Sequence, residues 1–274
     1  MPTQDFIQLP SFNGVAAGST ATLDLSNFGG AFHALQLTYT TATAGGADLA
    51  NMTAELTEFR LKVNGNVQRT FSFAQLAAIN ALRGVAFATG IADIIFAPGW
   101  TRSAAGEDAL AWGMADVQTF QLEVDIAAGA TTPTLTARAA WMDVTRPMGQ
   151  IVKWKRFTVP VVGAGVVTWS QFPRGDAYYG VHGFSANITA ERVLLNQREK
   201  FNATTAQAAA WYATHGVTMQ ANVFSQLFNP NNRVSDALPT RDAQGNLVNE
   251  LRYEFTMGAA GSFTALTETL GVRD

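Results

Sequence analysis

The sequence lacks cysteine, which excludes disulfides, cysteine-based metal sites and thiol catalysis together. Its three histidines, His33, His182 and His215, lie far apart without metal-ligand spacing, so structural roles are expected for all three. No apolar run reaches the ~18 residues of a membrane-spanning helix. The N-terminus has neither the basic nor the apolar part of a secretory signal. We therefore expect a protein that is made in the cytosol, is not secreted and folds by packing alone.

Charge is also scarce. Charged residues make up 14% of the chain, against about 25% in typical globular domains. The net charge is −3 and no basic run occurs, so direct sequence-specific nucleic-acid binding is not expected. A surface this poor in charge is typical of one that other subunits cover. The alternative, in which Thr, Ser, Asn and Gln supply the exposed polarity, stays open.

An internal repeat is the strongest feature that is present. Residues 57–85 align without a gap with residues 189–217, at an offset of 132 residues in a chain of 274. A period this long indicates two related domains, because solenoid repeats recur every ~20–50 residues. Ten positions are identical: Thr57/Thr189, Arg60/Arg192, Asn64/Asn196, Ala74/Ala206, Gln75/Gln207, Ala77/Ala209, Ala78/Ala210, Ala81/Ala213, Gly84/Gly216 and Val85/Val217.

Each copy predicts strands, a turn and a helix in the same order. Runs such as 58–63 and 119–126 alternate apolar and polar residues, which predicts strands with one buried face. Asn64–Gly65 between two such runs predicts a type I′ hairpin turn, since both central residues need positive φ. The spacing then predicts a helix over 73–82 in the first copy and over 206–214 in the second. Ser72 and either Thr204 or Thr205 are the predicted N-caps, and Gly84 and Gly216 end the two helices.

The fold class follows from the length of each unit. Periodicity breaks near Pro147, which predicts domains of 1–147 and 148–274. Many short strands and an embedded helix in roughly 130–140 residues fit an eight-stranded jelly roll better than an immunoglobulin-type sandwich of ~100 residues. We therefore predict an all-β chain of two tandem eight-stranded jelly-roll β-sandwiches, each with a short helix. Long loops are expected over 97–116 and 229–245, at equivalent places in the two copies.

No pattern is typical of a catalyst. The sequence has no Gly-x-Ser-x-Gly elbow, phosphate-binding loop or dinucleotide fingerprint. The loop carboxylates Glu107, Asp108, Asp236 and Asp242 would suit glycoside hydrolysis only if two of them stood about 5–10 Å apart across a cleft. Solvated carboxylates, or ligands of a structural Ca²⁺, are the favoured interpretation. We expect no enzymatic activity and no cofactor, and no metal ligand is assigned.

Two tryptophans in the first loop, Trp100 and Trp112, stand apart from the strand tryptophans, which are expected in the core. A loop tryptophan either folds back over its own domain or anchors in a neighbouring subunit. Trp100 and Trp112, with Asp236 and Asp242 of the second loop, are therefore the candidates for inter-subunit or loop contacts.

The whole pattern resembles the double jelly-roll major capsid proteins of tailless icosahedral phages with an internal membrane, in the compact corticovirus-like version. The likeness is carried by three stretches: FRLKVNGNV from Phe59 with LAAIN from Leu76, RVLLN from Arg192 with AAAWY from Ala208, and FPRGDAYY from Phe172. It covers nearly the whole chain in pattern but is weak letter by letter.

This resemblance implies a structural protein of the virion capsid. The chain would form homotrimers whose six jelly rolls make a pseudo-hexagonal tile, and the tiles would build an icosahedral shell around an internal membrane. Neighbouring trimers, penton or spike proteins and internal membrane proteins would be its partners. A soluble tandem β-sandwich that binds glycans through Trp100 and Trp112 is the alternative. An amidase or glycosidase built on two jelly rolls is a third.

Overall fold

The computed structural model describes residues 4–97, 108–231 and 233–274. These residues form two compact units. Unit 1 contains the chain up to Ala81, Val85–Val152 and Val272–Asp274, and unit 2 contains Leu82–Gly84 and Lys153–Gly271. The chain thus changes unit after Val152, while the boundary near Pro147 stays a prediction.

The described residues are dominated by strands. In chain order the strands are β1 Gln4–Gln8, β2 Thr20–Asp24, β3 Ala31–Thr40, β4 Leu56–Val63, β5 Asn66–Phe71, β6 Ile91–Ile95, β7 Trp112–Gly113, β8 Phe120–Ile126, β9 Thr134–Met142, β10 Ile151–Val159, β11 Gly165–Trp169, β12 Ala177–Phe184, β13 Ile188–Leu195, β14 Arg198–Thr204, β15 Val223–Leu227, β16 Leu251–Met257 and β17 Phe263–Gly271. The helices are α1 Leu49–Glu55, α2 Phe73–Leu82 and α3 Thr205–Ala213, and Val234–Asp236 forms a single 3₁₀ turn.

Both units have the same topology. In unit 1 the sheet orders are β1-β9-β3-β6 and β5-β4-β8-β2, and in unit 2 they are β10-β17-β12-β15 and β14-β13-β16-β11. When the eight main strands of each unit are numbered along the chain, both units give one sheet of order 1-8-3-6 and one of order 5-4-7-2. This is the jelly-roll arrangement, so the predicted fold class is confirmed.

Alternating side chains supply the core of each unit. In β8 every second residue from Phe120 to Ile126 is buried, and β16 repeats this pattern from Leu251 to Met257. In unit 1 the rings of Phe59 and Phe71, directly opposite on β4 and β5, stack with centroids 5.2 Å apart. Burying one such side chain stabilises the fold by about 1.5–3 kcal/mol. The core of each unit therefore rests on packing of this kind, and the chain has no cysteine to form a disulfide.

Helix α2 covers the residues predicted for it, whereas α3 begins one residue earlier than predicted and ends one earlier. Two elements were not predicted. Helix α1 has only seven residues and is capped by Asp48, whose side chain accepts a hydrogen bond from the Asn51 amide. Strand β7 has two residues and pairs with β3 inside the stretch expected to be a loop.

Candidate functional site

The residues that are identical in the two copies perform the same tasks in both units. The side chains of Thr57 and Thr189 each donate a hydrogen bond of 3.1 Å to a backbone carbonyl of the neighbouring strand in the sheet. The acceptor is Asp125 of β8 for Thr57 and Thr256 of β16 for Thr189. These bonds join strands 4 and 7 of each sandwich at one end. The repeat therefore preserves the contacts that fix the position of the strands.

Arg60 on β4 is the centre of a charged cluster on the outer face of the β5-β4-β8-β2 sheet. Its guanidinium lies 2.8 Å from Glu123, 2.6 Å from Asp125 and 2.7 Å from Glu58. The hydrogen bond from Arg60 is the main reason why the pKa of Asp125 is lowered. Burial opposes ionisation of Glu123, but hydrogen bonds from Lys62 and Arg60 outweigh this effect and lower its pKa.

Arg192 occupies the same position in unit 2. Its guanidinium lies 2.7 Å from Glu199 and 3.3 Å from Glu254. Glu254 has the place in β16 that Glu123 has in β8, so each unit holds an arginine–glutamate pair across strands 4 and 7. Because Arg192 and Glu199 are 44% and 45% exposed, this ion pair contributes less to stability than a buried one would.

Each hairpin turn is fixed by an asparagine. Asn64 and Asn196 have φ of 50° and 48°. The side-chain oxygen of Asn64 accepts hydrogen bonds from the backbone amides of Gln118 and Thr119, just before β8, and that of Asn196 accepts one from Glu250, just before β16. The backbone amides of Asn64 and Asn196 donate to the backbone carbonyls of Thr119 and Glu250. Asparagine tolerates positive φ better than most residues, which explains why this position is kept.

The helix ends are repeated as well. Ser72 and Thr204 form capping boxes with Gln75 and Gln207, so that each side chain binds the other residue's backbone amide. At the other end Val85 and Val217 donate to the carbonyls of Asn80 and Tyr212, five residues back. Gly84 and Gly216, with φ of 82° and 74°, make these Schellman turns.

The candidate tryptophans have different outcomes. Trp100 lies outside the described residues, as does Glu107. Trp112 is completely buried in unit 1, where its ring stacks on Phe96 at 4.3 Å and lies beneath the guanidinium of Arg69 at 5.4 Å. Of the two alternatives for this residue, the structure shows the one in which the indole folds back over its own unit. The expectation that Trp112 contacts another subunit or a glycan is therefore wrong.

Two of the candidate carboxylates, Asp236 and Asp242, lie in the second loop. Asp242 is exposed, and its Oδ1 accepts hydrogen bonds from the amides of Gln244 and Asn246 at 2.9 and 2.8 Å. Hydrogen bonds from the backbone and side chain of Asn246 are the main reason why the pKa of Asp242 is lowered, and the backbone amides of Gln244 and Gly245 add to this effect. Asp236 ends the 3₁₀ turn and is half-buried. Both remain predicted contact residues, since the structure contains one chain.

His182 of β12 belongs to a buried polar row. Its Nδ1 lies 2.9 Å from the Ser225 hydroxyl and its Nε2 lies 3.3 Å from Glu268. A serine, a histidine and an acid in this order can activate a nucleophile only where a substrate reaches the hydroxyl. Ser225 is 1% exposed and His182 is fully buried. In the described structure this row therefore offers no reaction site.

No group of three or more His, Asp or Glu side chains in residues 4–97, 108–231 and 233–274 is placed to hold a metal ion. Within these ranges no helix has the length and apolar character needed to cross a bilayer.

Exposed apolar side chains mark the remaining candidate surface. In unit 2, Val162 is 100% exposed, Val166 64% and Trp211 56%, and the Trp211 ring meets His215 at 4.7 Å. Trp211 was not singled out from the sequence. Ile79, at the equivalent place in α2, is buried. Comparing the copies position by position would have revealed this isoleucine-to-tryptophan difference.

Two eight-stranded jelly rolls of the same topology in one chain, with equivalent contacts at their turns and helix caps, form a double jelly roll, and the family match places the chain among the viral capsid proteins of this class. The chain belongs to the viral coat protein P2 family. Residues 6–145 match the viral coat protein P2 N-terminal domain and residues 151–273 match the C-terminal domain. The resemblance inferred from the sequence is thereby confirmed, and the chain is a viral coat protein.

Solved structures agree. The major capsid protein P2 from bacteriophage PM2 matches with a TM-score of 0.88 and 17% identity, over 99% of this chain and 98% of that one. The structure of Sulfolobus Turreted Icosahedral Virus matches with a TM-score of 0.72 and 12% identity, over 98% of this chain and 90% of that one. The PBCV-1 virus capsid matches with a TM-score of 0.68 and 10% identity, over 98% of this chain and 94% of that one. At these identities the likeness is one of fold. A comparison with curated protein sequences gave no match.

Proposed function

We propose that this coat protein is the major capsid protein of an icosahedral virus and acts as a homotrimer without catalytic activity. The observation that carries the proposal is the identical topology of the two units. Three chains with two such units each present six similar sandwiches, so one trimer approximates sixfold symmetry and can meet six neighbours. Tiles of this kind would build the shell, and the similarity in fold to solved viral capsid proteins supports such a role.

Contacts between chains are proposed for unit 2 and the loops. Trp211 on α3 is a large exposed aromatic side chain, a residue type that is enriched at the centres of interfaces. Asp236, Asp242 and Trp100 are proposed as further contact residues at the loops. With so few charged residues on the chain, much of the remaining surface can be covered at low desolvation cost.

Solution mass tests the trimer. Light scattering on the purified chain at two concentrations should give a mass of three chains at both, because a trimer interface well above about 1,200–2,000 Å² resists dilution. A repeat in chelator tests whether a structural Ca²⁺ stabilises the trimer, and loss of the trimer in chelator would add the ion to the proposal. A monomer at both concentrations and in both buffers would contradict the trimer itself.

A pair of variants tests the contact residue separately. Trp211→Ser should shift the mass towards the monomer, whereas Leu49→Ser should leave the trimer intact. Leu49 is a suitable control because it is 45% exposed, and its helix α1 has no counterpart in unit 2. If Trp211→Ser remains a trimer, Trp211 is not a contact residue although the trimer stands.

The wider assembly is proposed from the same resemblance. The shell would surround an internal membrane, and penton or spike proteins and membrane proteins would be neighbours of the trimers. Synthesis would take place in the host cytoplasm, and the virion capsid would be the final location. Electron cryo-microscopy of purified virions should show a lipid bilayer directly beneath the protein shell, and a shell without a bilayer would contradict this part.

A further inference from the structure

The core of unit 2 contains a carboxyl group where the repeat places an aromatic ring in unit 1. Glu191 on β13 is equivalent to Phe59 on β4, and it is 1% exposed. Its partner across the strand pair also differs, since Ala203 stands where unit 1 has Phe71. A stacked pair of phenylalanines in unit 1 is thus replaced by a glutamate facing an alanine.

No hydrogen bond satisfies this carboxyl group. Neither Oε1 nor Oε2 of Glu191 has a partner among the described residues, and the hydroxyl of Tyr253 is buried without one as well. Gln226 is a third such group: it lies opposite Val181 of the core and has neither amide atom bonded. An ionised carboxylate in such surroundings is unfavourable, because burying an unpaired charge costs far more than burying a neutral acid.

The titratable neighbours of Glu191 do not supply a compensating charge. On β16 Tyr253 and on α3 Tyr212 interact electrostatically with Glu191, and Tyr178 of β12 acts on Tyr253. Burial raises the pKa of all three tyrosines, so they stay neutral. The strand partners of Glu191, Ala203 of β14 and Phe255 of β16, do not titrate.

The positively charged side chains near β13 act on other groups and not on Glu191. Arg192, the next residue on β13, forms its ion pairs with Glu199 and Glu254. The charge of Arg83 acts on Tyr212. Within the described part of the chain no cation is found to act on Glu191 itself, and burial alone raises the pKa of its carboxyl well above the ordinary range.

We propose that Glu191 is a buried proton-binding site that couples the stability of the second jelly roll to pH. The acid is protonated in the folded unit at neutral pH and must lose its proton when the unit unfolds. At pH values above about 4.5, the ordinary pKa of glutamic acid, unfolding therefore releases a proton. Stability is greatest at or below that pH and falls as pH rises, until the pKa of the folded unit is passed. Alkaline conditions would then loosen unit 2, and in a shell this consequence rests on the proposed capsid function.

The pH dependence of unfolding tests the site. For one proton, the unfolding constant of the unit 2 transition should rise about tenfold per pH unit between pH 5.5 and 7.5, relative to Glu191→Gln at each pH. Glu199→Gln, which removes a half-exposed carboxylate paired with Arg192, is the matched control and should keep the wild-type slope. Equal slopes in wild type and Glu191→Gln would overturn the proposal.

Infrared spectroscopy on the intact chain gives an answer even if the variant fails to fold. A protonated carboxylic acid has a C=O stretching band that a carboxylate lacks, and wild-type protein at pH 7 should show it. Glu191→Gln, where folded, should remove the band. Absence of the band in wild type at pH 7 would overturn the proposal. Both measurements hold for a monomer, so they fail or succeed independently of the trimer mass.

Discussion

The two hairpin turns provide a matched experiment on backbone strain. Asn64–Gly65 and Asn196–Gln197 occupy equivalent places, and the second residue has φ of 82° in Gly65 and 65° in Gln197. A left-handed conformation costs an L-residue about 1–2 kcal/mol. Glycine avoids this cost but loses about 0.5–1 kcal/mol more conformational entropy on folding. We expect Gln197→Gly to stabilise unit 2 by about 0.5–1 kcal/mol as the net of these two effects.

The reverse change should have the opposite sign. A Cβ added at Gly65 meets no atom within 4 Å, so Gly65→Gln adds strain without a clash and should destabilise unit 1 by about the same 0.5–1 kcal/mol. Urea unfolding of the full chain measures both changes. With a slope of about 2 kcal/mol/M the midpoints should move by about 0.3–0.5 M in opposite directions. A loss of stability in Gln197→Gly, or no change in either variant, would refute the assignment of strain to this turn.

Three further predictions concern the repeated contacts and the core. Ser72→Ala and Thr204→Ala should each lower stability by about 1 kcal/mol, since each removes a helix cap, and the loss should be seen in urea midpoints. Arg60→Gln should be less stable than wild type at pH 7. That difference should shrink as pH falls, because the lowered pKa of Asp125 gives stability that is present above its ordinary value near 3.8 and is lost on acidification; a constant difference from pH 7 to pH 2 would contradict it. Trp112→Ala should destabilise by about 3–5 kcal/mol, and a stable variant that had only lost its trimer would contradict the core position of this ring.

Sequence reasoning predicted the elements that local rules determine. Residues at the turn and caps, such as Asn64, Ser72 and Gly84, are recognisable because positive φ and unpaired helix amides can be satisfied by few side chains. Helix α1 was missed because seven residues contain too little periodicity to distinguish a helix from a loop. Strand β7 was missed for the same reason, and Trp112 was assigned to a loop as a result.

Burial was harder to predict than secondary structure. Trp211 and Ile79 occupy one position of the repeated helix, yet the isoleucine is buried and the tryptophan is exposed. Both residues are apolar and both suit a helix, so neither propensity nor period distinguishes their surroundings. What covers a helix face depends on tertiary packing, which the pattern of one segment does not contain. Alignment of the two copies would have indicated the difference but not its direction.

The two copies separate the fold from the properties that are particular to each unit. Positions that are identical, Thr57, Arg60 and Asn64 among them, hold strands and turns through hydrogen bonds that both units share. Positions that differ sharply cannot be required by the topology, because the same strand forms with either residue. Phe59 and Glu191 are the clearest pair, since both are buried and only one can bind a proton. Replacing Glu191 with Phe would give unit 2 the residue that its own repeat accepts. If the variant folds without pH dependence, the acid contributes a property of this unit and not its fold.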